Sequence, residues 1–431
     1  RVGGTNLAPI GLTAITGVAI VGSSDNETFL VQSPSQTLSF TIDGNGGTDI
    51  VKVQGTALAD TMNVASSSGR ILISKTTGVP FYVSATSEYM VVLGSDGNDT
   101  LDAEQVTAAL TGLQLSGENG NDTLGGGLGD DAFVGGDGTD MLLEIGPGNL
   151  VLTDSVLQGH GTDSVGSDIE AIKLNGDAGN NLLDASGFTR FGVLLNGAGG
   201  NDTLLGSSKS DSLIGGGGID EVRQAVSGNA TLSKTLLTLG TSPNTISDGL
   251  SSIEKVRLTG DENPNKLDAT KFTVFNGSVT LDGGAGNDTL SGGSGDDLLI
   301  GGPDSIPSGT DNDSLLGNAG NDTIKGGAGK DFIDGGDGND GLAGGDDNDT
   351  IKGGSGNDTI LGDAGNDSLR GGAGRDLIQG GKGKDNINGE GDIDTVMGGS
   401  GGGSDSGDKI FDSYGEVMES FRFTVDWLNL I

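Results

Sequence analysis

Twelve nine-residue units run from Gly283 to Met397, and two of their positions never change in character. They read GGAGNDTLS, GGSGDDLLI, an interrupted unit, GNAGNDTIK, GGAGKDFID, GGDGNDGLA, GGDDNDTIK, GGSGNDTIL, GDAGNDSLR, GGAGRDLIQ, GGKGKDNIN and GEGDIDTVM. The third carries a seven-residue insertion within 301–316. The sixth position is Asp throughout: Asp288, Asp297, Asp313, Asp322, Asp331, Asp340, Asp349, Asp358, Asp367, Asp376, Asp385 and Asp394. The eighth is aliphatic from Leu290 to Val396, and the fourth is Gly except at Asp311, Asp347 and Asp392. A repeat this short gives each unit too little apolar surface to fold alone, so neighbouring units must stack. With a strand period of two, the eighth residue faces inward and the seventh and ninth face out.

Looser units lie upstream. Residues 117–143 hold three with Asp122, Asp131 and Asp140, and 197–223 hold three with Asp202, Asp211 and Asp220. GNGGTDIVK (44–52) and GTALADTMN (55–63) are degenerate copies. A longer period contains them. GNDTLDA at Gly97, GNNLLDA at Gly179 and PNKLDA at Pro264 are each followed by a spacer and then by GNDTL, at Gly120, Gly200 and Gly286. Each is preceded by a related segment: SEYMVVLG, SDIEAIKLNG and SSIEKVRLTG. The long period is roughly eighty residues, so wider coils without metal are expected between the nonapeptide turns. Asn181 and Asn265 stand where a sixth-position Asp belongs, and GSSKSDSLI (206–214) lacks the loop glycines, which sets those turns apart.

Composition narrows the partners. Of 431 residues 85 are Gly, 32% are hydrophobic and 4% aromatic, a profile that without a regular repeat reads as disorder. The formal charge of -39 repels nucleic acid and anionic lipid and attracts divalent cations. There is no Cys for disulfides or thiolate metal sites. The apolar stretch Ala8–Gly22 is too short to span a bilayer and is rich in Thr, Ile and Val, which favour strands.

The unit resembles the RTX (repeats-in-toxin, haemolysin-type) nonapeptide G-G-x-G-x-D-x-U-x, with U a large aliphatic residue. The resemblance implies an all-β fold: a parallel β-solenoid, or β-roll, with calcium in its turns. It implies two units per coil, so that units eighteen residues apart stack and each ion sits between loops of successive coils. Asp322 would join Asp340, and Asp349 would join Asp367. Carbonyl oxygens of loop residues such as Gly327, Gly329, Gly336, Gly338, Gly354, Gly356, Gly372 and Gly374 would complete the sites. Calcium takes six to eight oxygen ligands. Glycine at positions one, two and four is expected to permit the positive φ of a tight loop. Four segments follow: 1–43, an N-terminal strand segment serving as a cap or an assembly strand; 44–282, a solenoid of roughly eighty-residue long repeats with RTX clusters; 283–411, the dense β-roll; and 412–431, a cap or assembly segment.

Nothing reads as catalytic. His160 is the only histidine, and GHGTDS offers it no partner pattern. The Gly-Lys pairs at 329–330 and 383–384 lack the Ser or Thr of a phosphate loop. Carboxylate pairs are abundant, but one Trp and three Tyr give few platforms for a sugar. The expected role is a calcium-binding extracellular structural protein of a bacterial surface or matrix, self-associating head to tail. In that arrangement 7–44 of one copy would pair with 421–431 of the next. The alternative is a secretion and folding module of a type I-exported protein whose passenger lay before Arg1.

Overall fold

Aliphatic residues every nine positions, alternating with polar ones, should give short strands separated by glycine turns. The computed structural model describes residues 17–411 apart from 33–37, 44, 46–47, 68–69, 78–80, 87–88, 107–109, 242, 304–310 and 400–408. Among these the secondary structure is all β, without a helix, and hence without a helix long and apolar enough to cross a membrane. The chain forms two compact units, Arg1–Gly218 and Ile219–Ile431.

The second unit contains the dense array. Ser314–Ala319 pairs in parallel with Phe332–Asp337, which pairs with Thr350–Ser355, then Ser368–Ala373, then Asn386–Glu390. A second stack runs through Thr323–Ala328, Gly341–Asp346, Thr359–Ala364, Leu377–Gln379 and Thr395–Met397. Ser314 lies opposite Phe332 and Thr323 opposite Gly341, an offset of 18 residues. Two nonapeptides therefore make one coil of a parallel β-solenoid. The insertion in the third unit lengthens its coil to 25 residues without breaking register, since Thr289 lies opposite Ser314 and Leu298 opposite Thr323. Every eighth-position residue, including Leu290, Ile324, Ile351 and Val396, is fully buried. The core is thus a ladder of single aliphatic side chains from each half-coil.

The long period resolves into three kinds of coil. In the first unit Thr61 lies opposite Thr100, Thr100 opposite Thr123, and Thr123 opposite Met141, steps of 39, 23 and 18 residues. In the second unit Glu221, Lys255 and Ser278 align in steps of 34 and 23, and Thr280 aligns with Leu298 after 18. The longest coil is not purely parallel. It makes an antiparallel excursion, as Thr61–Ser67, Arg70–Lys75 and Phe81–Thr86 do, and likewise Asn229–Ser233, Leu236–Leu239 and Ile246–Ser251. The spacer sequences hold enough alternating apolar residues, such as Leu72 or Leu237, to form a hairpin and rejoin the stack.

Candidate metal centre

Each nonapeptide loop is shaped by glycines with two different duties. Positions two and four take the left-handed region, as at Gly327 (φ 110°), Gly329 (φ 125°), Gly354 (φ 120°) and Gly356 (φ 128°). Gly336, Gly338, Gly372 and Gly374 do the same. Position one does not; none of Gly317, Gly326, Gly335 or Gly353 has a positive φ. The expectation of positive φ there is corrected: position one is Gly for lack of room. A Cβ on Gly335 would lie closer than 3.0 Å to both Asp340 Oδ2 and the Gly353 carbonyl oxygen, and Gly326 and Gly353 are hemmed in alike. The loops also stack. The carbonyl oxygens of Gly320, Gly338 and Gly356 each lie where a Cβ at position four of the next coil would stand, and those of Asn318, Gly336 and Gly354 do so at position two.

The sixth-position aspartates are 1% to 4% exposed throughout the dense array, so they are not a solvated acidic face. Their two oxygens differ. Oδ1 accepts the backbone N–H of the aspartate one coil earlier: Asp322 N–H donates to Asp340 at 2.8 Å, Asp340 to Asp358 at 2.9 Å and Asp349 to Asp367 at 2.9 Å. The ladder continues through Asp313, Asp331, Asp376, Asp385 and Asp394. Asp122 and Asp140 repeat it in the first unit, and Asp288 and Asp202 take the N–H of Asn265 and Asn181. Oδ2 is buried with no hydrogen-bond partner at Asp122, Asp140, Asp288, Asp313, Asp322, Asp331, Asp340, Asp349, Asp358, Asp367 and Asp376. A buried acceptor left this way costs several kcal/mol, of order 1–3 even when neutral. Burial, chiefly, pushes these carboxyls up: Asp313 and Asp349 to about 8, Asp322 and Asp367 to about 7. Neighbouring aspartates of the same column add to the rise.

Such oxygens need a proton or a cation. Hard, anionic or carbonyl oxygen, spaced by one coil, is the donor set calcium prefers. Among the described residues no three His, Cys, Asp or Glu side chains gather at one point. A cation here would therefore be shared by stacked aspartates and backbone oxygen. The residues fit calcium, and Asp322 stacks on Asp340 in one column and Asp349 on Asp367 in the other.

The same geometry separates sites that the sequence treats alike. At Asp297 Oδ2 accepts Gly293 N–H at 2.6 Å and Oδ1 accepts Val279 N–H at 2.8 Å, so the carboxylate closes its own loop. Asp131 Oδ2 is likewise taken, by Gly127 N–H at 2.9 Å, and Asp211 by Ser207. At Asn181 and Asn265 the amide N–H donates to the carbonyl of Gly148 or Gly228 at 2.9 Å, bonding directly where a carboxylate would leave an orphan. In the degenerate unit 55–63, Lys75 Nζ sits 2.8 Å from Asp60 Oδ1, both residues at most 3% exposed. An ammonium neutralises that turn.

Several participants were not singled out from sequence. Glu170 and Glu254 accept the N–H of Asp140 and Asp220 and so extend the carboxylate ladder into the long coils. Their shared place in IEAIKL and IEKVRL was the available signal. Asp99 and Asp163 do the same for Asp60 and Asp131. Position five carries a second ladder in the opposite sense: Asn321 Oδ1 accepts Asn339 N–H at 2.9 Å, and Asn339 accepts Asn357 N–H at 2.7 Å. His160 is held between Glu144 Oε1 and the Pro147 carbonyl, both at 3.1 Å, which raises its pKa through the Glu144 hydrogen bond first.

A family model for the RTX calcium-binding nonapeptide repeat, in four copies, matches residues 114–142, 196–222, 277–305, 308–342, 343–378, 362–396 and 370–405. The chain carries RTX calcium-binding nonapeptide repeats across residues 114–405. The matches cover all but the last residue of each upstream cluster and all of the dense array except 306–307, within the interrupted unit. No curated protein gives a significant match to the chain.

Proposed function

We propose that this RTX chain is a calcium-dependent extracellular structural protein, whose β-rolls become rigid when calcium enters the loop columns and whose copies associate head to tail. The observation that carries the calcium part is the row of buried Oδ2 atoms, each without a hydrogen-bond partner and each beside a loop carbonyl of the next coil. The proposed ligands are the aspartates that show this, Asp122, Asp140, Asp288, Asp313, Asp322, Asp331, Asp340, Asp349, Asp358, Asp367 and Asp376, with Asp202, Asp220, Asp385 and Asp394 added on their repeat position alone. Asp131 and Asp297 leave the set because loop amides take their Oδ2 atoms. We place most of the calcium in 283–411 and little in the wider coils of 44–282. Export from a calcium-poor interior to a calcium-rich exterior then becomes the folding signal.

The assembly part is supported by an open edge. Among the described residues Gly17–Val21 pairs only with Leu38–Asp43, and Thr28–Gln32 only with Ile50–Gln54. Unpaired strand edges are templates for another chain, and a head-to-tail contact that does not close gives filaments. Residues 412–431, the proposed other half of the contact, lie outside the described residues. Electron microscopy of the purified chain tests this. Elongated particles in millimolar calcium that vanish with chelator, and that are lost when 1–44 is deleted, are the expected result. Monodisperse single particles at saturating calcium would end the assembly proposal.

A further inference from the structure

Position four of the nonapeptide is Gly in most units but Asp at 311, 347 and 392, and these three aspartates are not equivalent. Asp311 is 1% exposed. Its Oδ1 accepts Gly286 N–H from the coil before, while Oδ2 is buried without a hydrogen-bond partner. That Oδ2 and the Gly284 carbonyl oxygen lie within 3.0 Å of where a Cβ on Gly302 would stand. At the adjoining Gly301 the same space holds Asp313 Oδ2 and the Gly326 carbonyl oxygen. Two carboxylate and two carbonyl oxygens thus border two consecutive glycines of one loop. Asp347 stands at the same repeat position two coils further along that column; it is half-buried, and its Oδ2 also has no hydrogen-bond partner. Asp392 belongs to the other column and is exposed.

We propose that Asp311 and Asp347 are additional calcium ligands, each joining the sixth-position aspartate of its own loop, so that alternate coils of one column hold calcium most tightly. The inference rests on the calcium reading above and deepens it. Ligand charge count is a main lever on calcium affinity, and these loops bring two carboxylates where the ordinary repeat brings one. A purely structural role explains them poorly. Asp347 has φ 74°, a conformation in which Gly is the less strained residue. Asp311 is buried and Asp347 half-buried, each keeps a buried Oδ2 short of a donor, and a cation would give each its place.

The test titrates the full chain with calcium against a fluorescent chelator and counts bound ions by equilibrium dialysis. Asp311→Asn with Asp347→Gly should weaken the tightest class of sites about tenfold, while strand content at saturating calcium stays that of the parent. Asp392→Asn should leave the curve unmoved. An unchanged tight class in the double variant overturns the proposal, as does a loss no larger than that of Asp392→Asn. Should Asp311→Asn prevent folding, Asp347→Gly alone decides. It relieves backbone strain, so a structural role predicts higher thermal stability at equal affinity, and the ligand role predicts lower affinity. A parent chain that binds no calcium would instead overturn the underlying calcium reading and leave nothing for these variants to alter.

Discussion

Stripping calcium from the dense array at pH 8.5 should unfold it, and acidifying the stripped protein to about pH 5 should bring the strands back. Eight stacked aspartate neighbours eighteen residues apart line the two columns, from Asp313–Asp331 to Asp367–Asp385 and from Asp322–Asp340 to Asp376–Asp394. Strands roughly 4.8 Å apart put like charges at about 1 kcal/mol of repulsion each in bulk water and about 3.5 near a protein surface. Eight such pairs amount to about 7 to 28 kcal/mol, against a usual net stability of about 5–15. Protons can substitute for the cation. Folding raises these carboxyls from an ordinary value near 3.8 to between about 6 at Asp331 and about 8 at Asp349, through burial first. A raised folded-state pKa means that the folded form holds protons the unfolded chain releases. That stability is complete below about pH 4 and is lost as pH rises through 6 to 8. Far-ultraviolet circular dichroism of exhaustively decalcified protein from pH 5 to 8.5 reads this directly, staying above the isoelectric point near 4.1. Calcium-loaded protein should show strands across the range. A decalcified spectrum that is fully β at pH 8.5, or that gains β structure as pH rises, would refute the reasoning.

Ile351→Ala, in the fully buried aliphatic ladder, should cost about 2–5 kcal/mol, measured by denaturant unfolding in saturating calcium. Asn265→Asp replaces the amide that donates to the Gly228 carbonyl at 2.9 Å with an acceptor; it should lower stability in chelator and raise the bound calcium by one ion in equilibrium dialysis. Lys75→Met leaves Asp60 buried without its ammonium and should cost about 3–5 kcal/mol by thermal melting of the first unit. Gly335→Ala forces a methyl against Asp340 Oδ2 and the Gly353 carbonyl oxygen; calorimetric titration should show weaker calcium binding with the left-handed loop residues unaltered.

The periodic part of the fold was legible because period and chemistry agree: Asp349 and Ile351, repeated every nine residues, fix the inward face and the place of each loop, while two units per coil followed from the family resemblance. What escaped the sequence depends on which coil lies beneath. GGSGDD at Gly292 looks like an ordinary unit, yet Asp297 closes its own loop. It stacks on Val279, in a coil whose turn is no nonapeptide, so no matching loop faces it. Asp211 stacks on Val193 in the same way. Lys75 lies fifteen residues from Asp60 and reaches it only because an antiparallel excursion folds it back. Position-one glycine looked like a conformational requirement, whereas at Gly335 it is a requirement of space. The asparagine ladder of Asn321, Asn339 and Asn357 was in plain view at position five, but its bonds run between coils.

Crystals grown in calcium, with anomalous difference maps collected near the calcium edge, address the central claim most directly. Peaks should lie beside the Oδ2 atoms of Asp322, Asp340 and Asp358 in one column and of Asp331, Asp349 and Asp367 in the other, and none beside Asn181 or Asn265. Maps from saturated crystals that are featureless at those aspartates would contradict the account, as would peaks equally strong at the two asparagines.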